Sequence, residues 1–186
     1  MADIDSIGLI ELSSVARGFV VQDAMIKAAN ITVLMARTIC SGKYIVCVAG
    51  DISAVQSSVD AGVAVGTGAV IEKRVISRVH PAIFPAMLGN VYLDPHQADA
   101  LGIIETFSAS SIIEVADAAV KAANVTLFRV HLAMALGGKG FVLLTGDVAS
   151  TEAAVTVGAR VAGRDGILVD RAVIPRPSKE LFKEFV

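Results

Sequence analysis

The sequence predicts an α+β fold made of two tandem β-α-β-β-α-β units, and three observations predict it. The first is an internal repeat: IGLIELSSV (7–15) is echoed by LGIIETFSA (101–109), DAMIKAANITV (23–33) by DAAVKAANVTL (117–127), and GKYIVCVAGD (42–51) by GKGFVLLTGD (138–147). The second is the hydrophobic pattern, which runs through strand-like and helix-like stretches in the same order in both copies. The third is size and composition. A duplicated chain of 186 residues makes two modest cores of about a hundred residues or fewer, and a 54% hydrophobic content with only 5% aromatics points to Ala-, Val-, Ile- and Gly-rich layers. Asp23 and Asp117 stand 94 residues apart and Gly42 and Gly138 stand 96 apart, so the second copy carries two extra residues before Gly138. The predicted domains are 1–90 and 91–186.

Each element follows in turn. The first strands fall at 7–12 and 101–107. Helices are expected at 17–29 and 111–123, stopped by Asn30 and Asn124 because Asn tolerates positive φ. Second strands occupy 31–39 and 125–133, and glycine-bearing loops at 40–42 and 134–138 lead into buried strands at 43–49 and 139–145. Asp51 and Asp147 stand at helix N-cap positions, ahead of helices ending near Val65 and Ala162. Last strands at about 70–79 and 167–173 complete each copy. This order is the split β-α-β of the ferredoxin-like folds. A Pro- and Gly-punctuated linker is expected over 80–99, and a short helix over 178–185.

Composition excludes several functions. The mean hydropathy of +0.68 is high, yet the longest stretch free of charged residues, 79–93, is broken by Pro81 and Pro85 and falls short of the ~20 apolar residues of a membrane span. No membrane helix is expected. The opening residues lack a basic segment and do not read as a secretory signal. Two cysteines, Cys40 and Cys47, suit a reducing, cytoplasmic setting. A net charge of −2 argues against nucleic acid as the partner.

A ferredoxin-like unit hosts many activities, so the repeated strings have to choose among them. IGLIELSSV, DAMIKAANITV, GKYIVCVAGD and IPRPS resemble the shell-protein domain of bacterial microcompartments (the BMC domain), present as a tandem pair over almost the whole chain. The resemblance implies a homotrimer that is pseudo-hexameric, with six domains around a pore. It also implies other shell proteins as partners, an enclosed redox enzyme as a further partner, and a place in a microcompartment shell in the cytoplasm. TICSGKY (38–44) corresponds to the pore loop. In tandem members of the propanediol-utilisation type, which the chain resembles, the matching cysteine from three chains is taken to hold a 4Fe-4S cluster. Here that residue is Cys40, the implied cofactor and metal ligand.

A cubane cluster takes four thiolates, and no CxxC or similar spacing exists in this chain, so one chain cannot hold it. Three copies of Cys40 on one axis would serve three irons and leave the fourth open and easily oxidised. Cys47 lies in an apolar strand, with Leu143 as its counterpart, and is assigned to the core. The second copy has AMALGG (133–138) at the equivalent loop and no cysteine. Lys27 and Lys121 match the family's edge lysine, and Arg176 its edge arginine. Reading Ala82 as the counterpart of Arg176 makes alternate edges of the trimer differ.

The remaining polar residues read as structural. His80, His96 and His131 lack metal-ligand spacing. Glu11 and Glu105 are repeated carboxylates expected to serve each domain's own fold. GGKG (137–140) lacks the spacing and the following Ser or Thr of a phosphate loop and reads as a tight turn. No catalytic constellation assembles, so the chain is not expected to be an enzyme. Two other functions fit the same residues: a pore for a small metabolite without a functional cluster, and a cytosolic ligand-sensing module.

Overall fold

The computed structural model describes residues 4–134 and 136–182. The chain divides between Val79 and His80 into two compact units, each an antiparallel four-stranded sheet with helices on one face.

In the first unit, β1 (Ser6–Leu12) leads through α1 (Val15–Ala28) to β2 (Thr32–Ile39), then β3 (Lys43–Gly50), α2 (Ile52–Val65) and β4 (Val70–Ile76). The sheet order is β2-β3-β1-β4. The two central strands are mostly apolar, with Ser6 and Glu11 as the polar residues of β1; every residue of β1 is buried, as is every residue of β3 after Lys43. Ile10, Leu12, Val46 and Val48 meet Val21 and Met25 of α1 and Val55 and Val59 of α2 in one core. Each such side chain stabilises the fold by about 1.5–3 kcal/mol when fully buried.

The second unit repeats the plan. β5 (Ala100–Thr106), α4 (Ile112–Ala122), β6 (Thr126–Leu132), β7 (Gly140–Gly146), α5 (Val148–Arg164) and β8 (Leu168–Pro175) form a sheet of order β6-β7-β5-β8. The face away from the helices carries a further cluster of Leu101, Phe128 and Leu143, capped by Leu93 and Phe182. Phe182 sits on a 3-10 turn, Lys179–Phe182, with its ring 5.9 Å from that of Phe128. The helix expected over 178–185 is this turn as far as Phe182; its last three positions lie outside the described residues.

Several expectations need correction. The linker contains a helix, α3 (Ile83–Leu88), and a 3-10 turn, Pro95–Gln97. Pro85 is tolerated because it stands in the first helical turn, where no intrahelical N–H is lost. Ile83, Ala86 and Met87 are buried, and α3 packs on β6 and α4. The segment therefore belongs to the second unit, and the boundary falls at 79/80 rather than 90/91. Asn30 and Asn124 do not carry the positive φ expected of them. The helices end at Ala29 and Ala123 in extended conformation, φ −157° and −154°, and the chain passes directly into the next strand. The N-terminus of α1 is Val15, capped by Ser14, whose Oγ accepts the Arg17 N–H.

Candidate functional site

The Cys40 turn is a hairpin tip. β2 and β3 pair as far as Ile39 opposite Lys43, so only Cys40, Ser41 and Gly42 span the reversal. A reversal this short needs left-handed backbone, supplied by Ser41 (φ 65°) and Gly42 (φ 70°). Cys40 is half-buried and in no disulfide.

The base of the hairpin is fixed from two sides. Lys43 Nζ donates to Glu11 Oε1 at 2.8 Å, with the Glu11 side chain only 6% exposed. Tyr44 donates its hydroxyl to Gln22 Oε1 at 2.8 Å and stacks at a tilt on Phe19, 5.2 Å between ring centres. Gly18 makes that approach possible, since a Cβ there would lie 2.4 Å from the Tyr44 ring. The second unit keeps the ion pair, Lys139 to Glu105 at 2.5 Å. The repeated glutamates are thus the structural carboxylates expected from the sequence.

The equivalent second-unit loop is longer. Ala133 N–H donates to the Lys139 carbonyl, and Gly137 and Gly138 adopt φ of 63° and 94°, so GGKG is the turn expected from the sequence. Met134 is exposed there, at the place of Cys40. Cys47 pairs with Leu9 on β1, is wholly buried, and burial pushes its thiol up to about 12, as a core residue requires.

The lysines and arginines stand where the repeat puts them. Lys27 donates to Asp23 and Lys121 to Asp117, each at 2.6 Å. Arg176 follows β8 at φ 49°. The strand register overturns Ala82 as its counterpart. Ile7 pairs with Ile76 and its repeat mate Leu101 with Ile174, so two residues on it is Arg78 that matches Arg176. Arg78 has the same left-handed backbone, φ 53°. Sequence reasoning missed Arg78 because the copies drift apart by four residues before this point, although ISR against IPR carried the signal.

Each histidine ring has a partner within the protein. His80 Nδ1 accepts the Ala82 N–H at 3.2 Å, His131 stacks on Phe141 with its Nε2 2.8 Å from the Met134 carbonyl, and His96 contacts Lys179. Among the described residues no group of three or more His, Cys, Asp or Glu could hold a metal within one chain, and no helix is long and apolar enough to cross a membrane.

One asymmetry between the units concerns burial. Phe19 on α1 is 61% exposed whereas its repeat mate Ile113 is fully buried, and Val33 on β2 is 36% exposed against 2% for Leu127. The same helix and strand faces are covered in the second unit and open in the first.

Comparison with known proteins agrees with this architecture. The BMC domain model matches residues 6–79 and 100–177, leaving the α3 segment between the matches. The chain is 41% identical over 181 residues to the bacterial microcompartment shell protein PduT of Citrobacter freundii, covering 97% of both chains. It is 45% identical over 87 residues to the shell protein EutM of Salmonella typhimurium strain LT2, covering 47% of this chain and 88% of EutM. A microcompartment protein of known crystal structure from Desulfitobacterium hafniense DCB superposes with a TM-score of 0.92 at 46% identity, covering 96% of this chain and 98% of that one. With both repeats matched and a relative aligned from end to end, the chain belongs to the bacterial microcompartment shell-protein family as a tandem pair of BMC domains.

Proposed function

We propose that three copies of this chain close into a ring, a shell tile, with the Cys40 hairpins around its axis holding one 4Fe-4S cluster. The observation that carries the ring is the uneven burial of the repeat. Faces covered in the second unit are open in the first, and head-to-tail association covers them with a second copy. The donor set supports a shared cluster: each chain offers one half-buried thiol on a three-residue tip, while Cys47 is buried and protonated. Three Cys40 thiolates ligate three irons, and the Met134 loops alternate with them.

When bound, such a cluster supplies one-electron transfer, and a tile carrying it passes single electrons across a shell that otherwise isolates an enclosed redox enzyme. The residues of the chain hold the thiols in place: Lys43–Glu11 and Tyr44–Gln22 fix the hairpin base. On this reading the protein is a non-catalytic component of a microcompartment shell in the cytoplasm, alongside other shell proteins.

The test is iron and acid-labile sulfide on anaerobically purified protein, beside Cys40→Ser. The expected result is about four irons per three chains, lost in a variant that still assembles. Iron-free trimers with an unmodified Cys40 after anaerobic reconstitution overturn the cluster and leave a metabolite pore.

A further inference from the structure

We infer that the seam between neighbouring copies in the ring is registered by a hydrogen bond from the backbone N–H of Ser178 in one chain to the carboxylate of Asp23 in the next. The inference rests on the ring proposed above. Its model lies in the second unit, where Asp117 is used twice: Oδ2 holds Lys121 at 2.6 Å, and Oδ1 accepts the N–H of His80 at 2.7 Å. His80 comes two residues after Arg78, whose left-handed backbone swings the chain away from β4. The stretch that follows lies on α4 and β6, the elements whose faces are covered.

Asp23 is the repeat mate of Asp117. It holds Lys27 through Oδ2 alone among the described residues, and its side chain is 62% exposed against 13% for Asp117. Around it the apolar side chains of Phe19, Ile26 and Val33 are open. The missing donor exists at the other end of the chain. Arg176 makes the same left-handed turn after β8 as Arg78 does after β4. Two residues on, Ser178 stands at the position of His80 and is exposed. Pro177 has no N–H, so Ser178 is the first donor beyond the turn. The correspondence is one of strand register and left-handed φ and is not complete: the Asp5 carbonyl accepts the Val79 N–H where the Asp99 carbonyl accepts that of Arg176, and Phe182 seats on the sheet of its own unit whereas the matching helix α3 packs on β6 and α4. Each chain donates once and accepts once, which suits a head-to-tail seam repeated three times.

The experiment measures trimer dissociation by sedimentation on dilution of the full chain, for the wild type, Asp23→Ala, Ser178→Pro, the double variant, and Ser178→Ala as a control that keeps the N–H. Amide hydrogen exchange at Ser178 is followed in parallel, at concentrations where every species is trimeric. A bond to a charged acceptor predicts that each single variant dissociates roughly tenfold or more readily. The double variant should be no worse than either single one, Ser178→Ala should be unchanged, and the Ser178 amide should lose its protection in Asp23→Ala. Losses that multiply in the double variant, or an unprotected Ser178 amide in the intact wild-type trimer, overturn the contact while leaving the ring standing. A wild type that stays monomeric at every concentration overturns the ring, and the contact with it.

Discussion

Cys40 and Cys47 share a hairpin and differ in chemistry because of where each side chain lies. Thiol reactivity follows the thiolate. Cys47 is enclosed on β3 by apolar neighbours that cannot stabilise a charge, and burial pushes its thiol up to about 12. Cys40 is at the tip, partly open to solvent. Metal-free native protein treated with iodoacetamide at pH 8 should therefore be alkylated once per chain, at Cys40, with Cys47 reacting only after denaturation. Peptide mass mapping checks this, and native modification of Cys47 would contradict its place in the core. The same contrast was legible in the sequence, since YIVCVAG is an apolar strand and TICSGKY contains the glycine of a turn. The ion pair of Lys43 with Glu11 was not, because partners 32 residues apart meet only through the pairing of β1 with β3.

The order of elements, the caps of α2 and α5 and the helix ends were readable to within two residues, whereas the entry of α1 and the backbone conformation at the exits of α1 and α4 were not. Asp51 and Asp147 cap α2 and α5 as their spacing implied. Asp51 accepts the N–H groups of Ser53 and Ala54, and Asp147 that of Ser150. Hydrogen bonds from the Ser53 and Ser150 side chains, then from backbone N–H groups, hold both carboxyls below their ordinary value. A carboxyl whose pKa is depressed on folding binds fewer protons folded than unfolded. Its contribution is fully present above the unfolded value, about 4, and disappears as pH falls through the lower folded value. Asp51→Asn and Asp147→Asn keep a good cap but cannot titrate. They should match the wild type near pH 7 and lose less stability on acidification, as urea melts between pH 7 and pH 3 would show; an undiminished acid decline would remove the caps as its source. Helix exits misled because Asn30 and Asn124 advertise a left-handed stop, while the chain continues extended into a strand. Packing at the Tyr44 contact was equally hidden. Gly18→Ala forces a methyl group against a buried ring and should cost about 1–3 kcal/mol in chemical unfolding.

At the scale of the whole molecule, duplication makes two units that are alike in backbone and unlike in what covers them. The repeat itself was plain in the sequence, yet its edges were misread, because insertions between the copies shift the offset from 94 at Ile7 to 98 at Ile76 and moved Ala82 onto Arg176. The sheet register restores the match. Arg78 and Arg176 leave their last strands with the same left-handed backbone, a conformation that bulky residues adopt only when their surroundings hold them there. Each unit thus carries a lysine late in its first helix and an arginine just past its last strand, and the proposed ring has six edges of one kind. Tiling then depends on both arginines alike. Arg78→Ala and Arg176→Ala should each raise the protein concentration needed for sheet formation, by about tenfold and by similar factors, with trimers retained, as electron microscopy of concentration series would reveal. An Arg176→Ala variant that loses sheets while Arg78→Ala tiles normally would mean that alternate edges differ in spite of the shared backbone, and that the arginine after β4 serves its own unit.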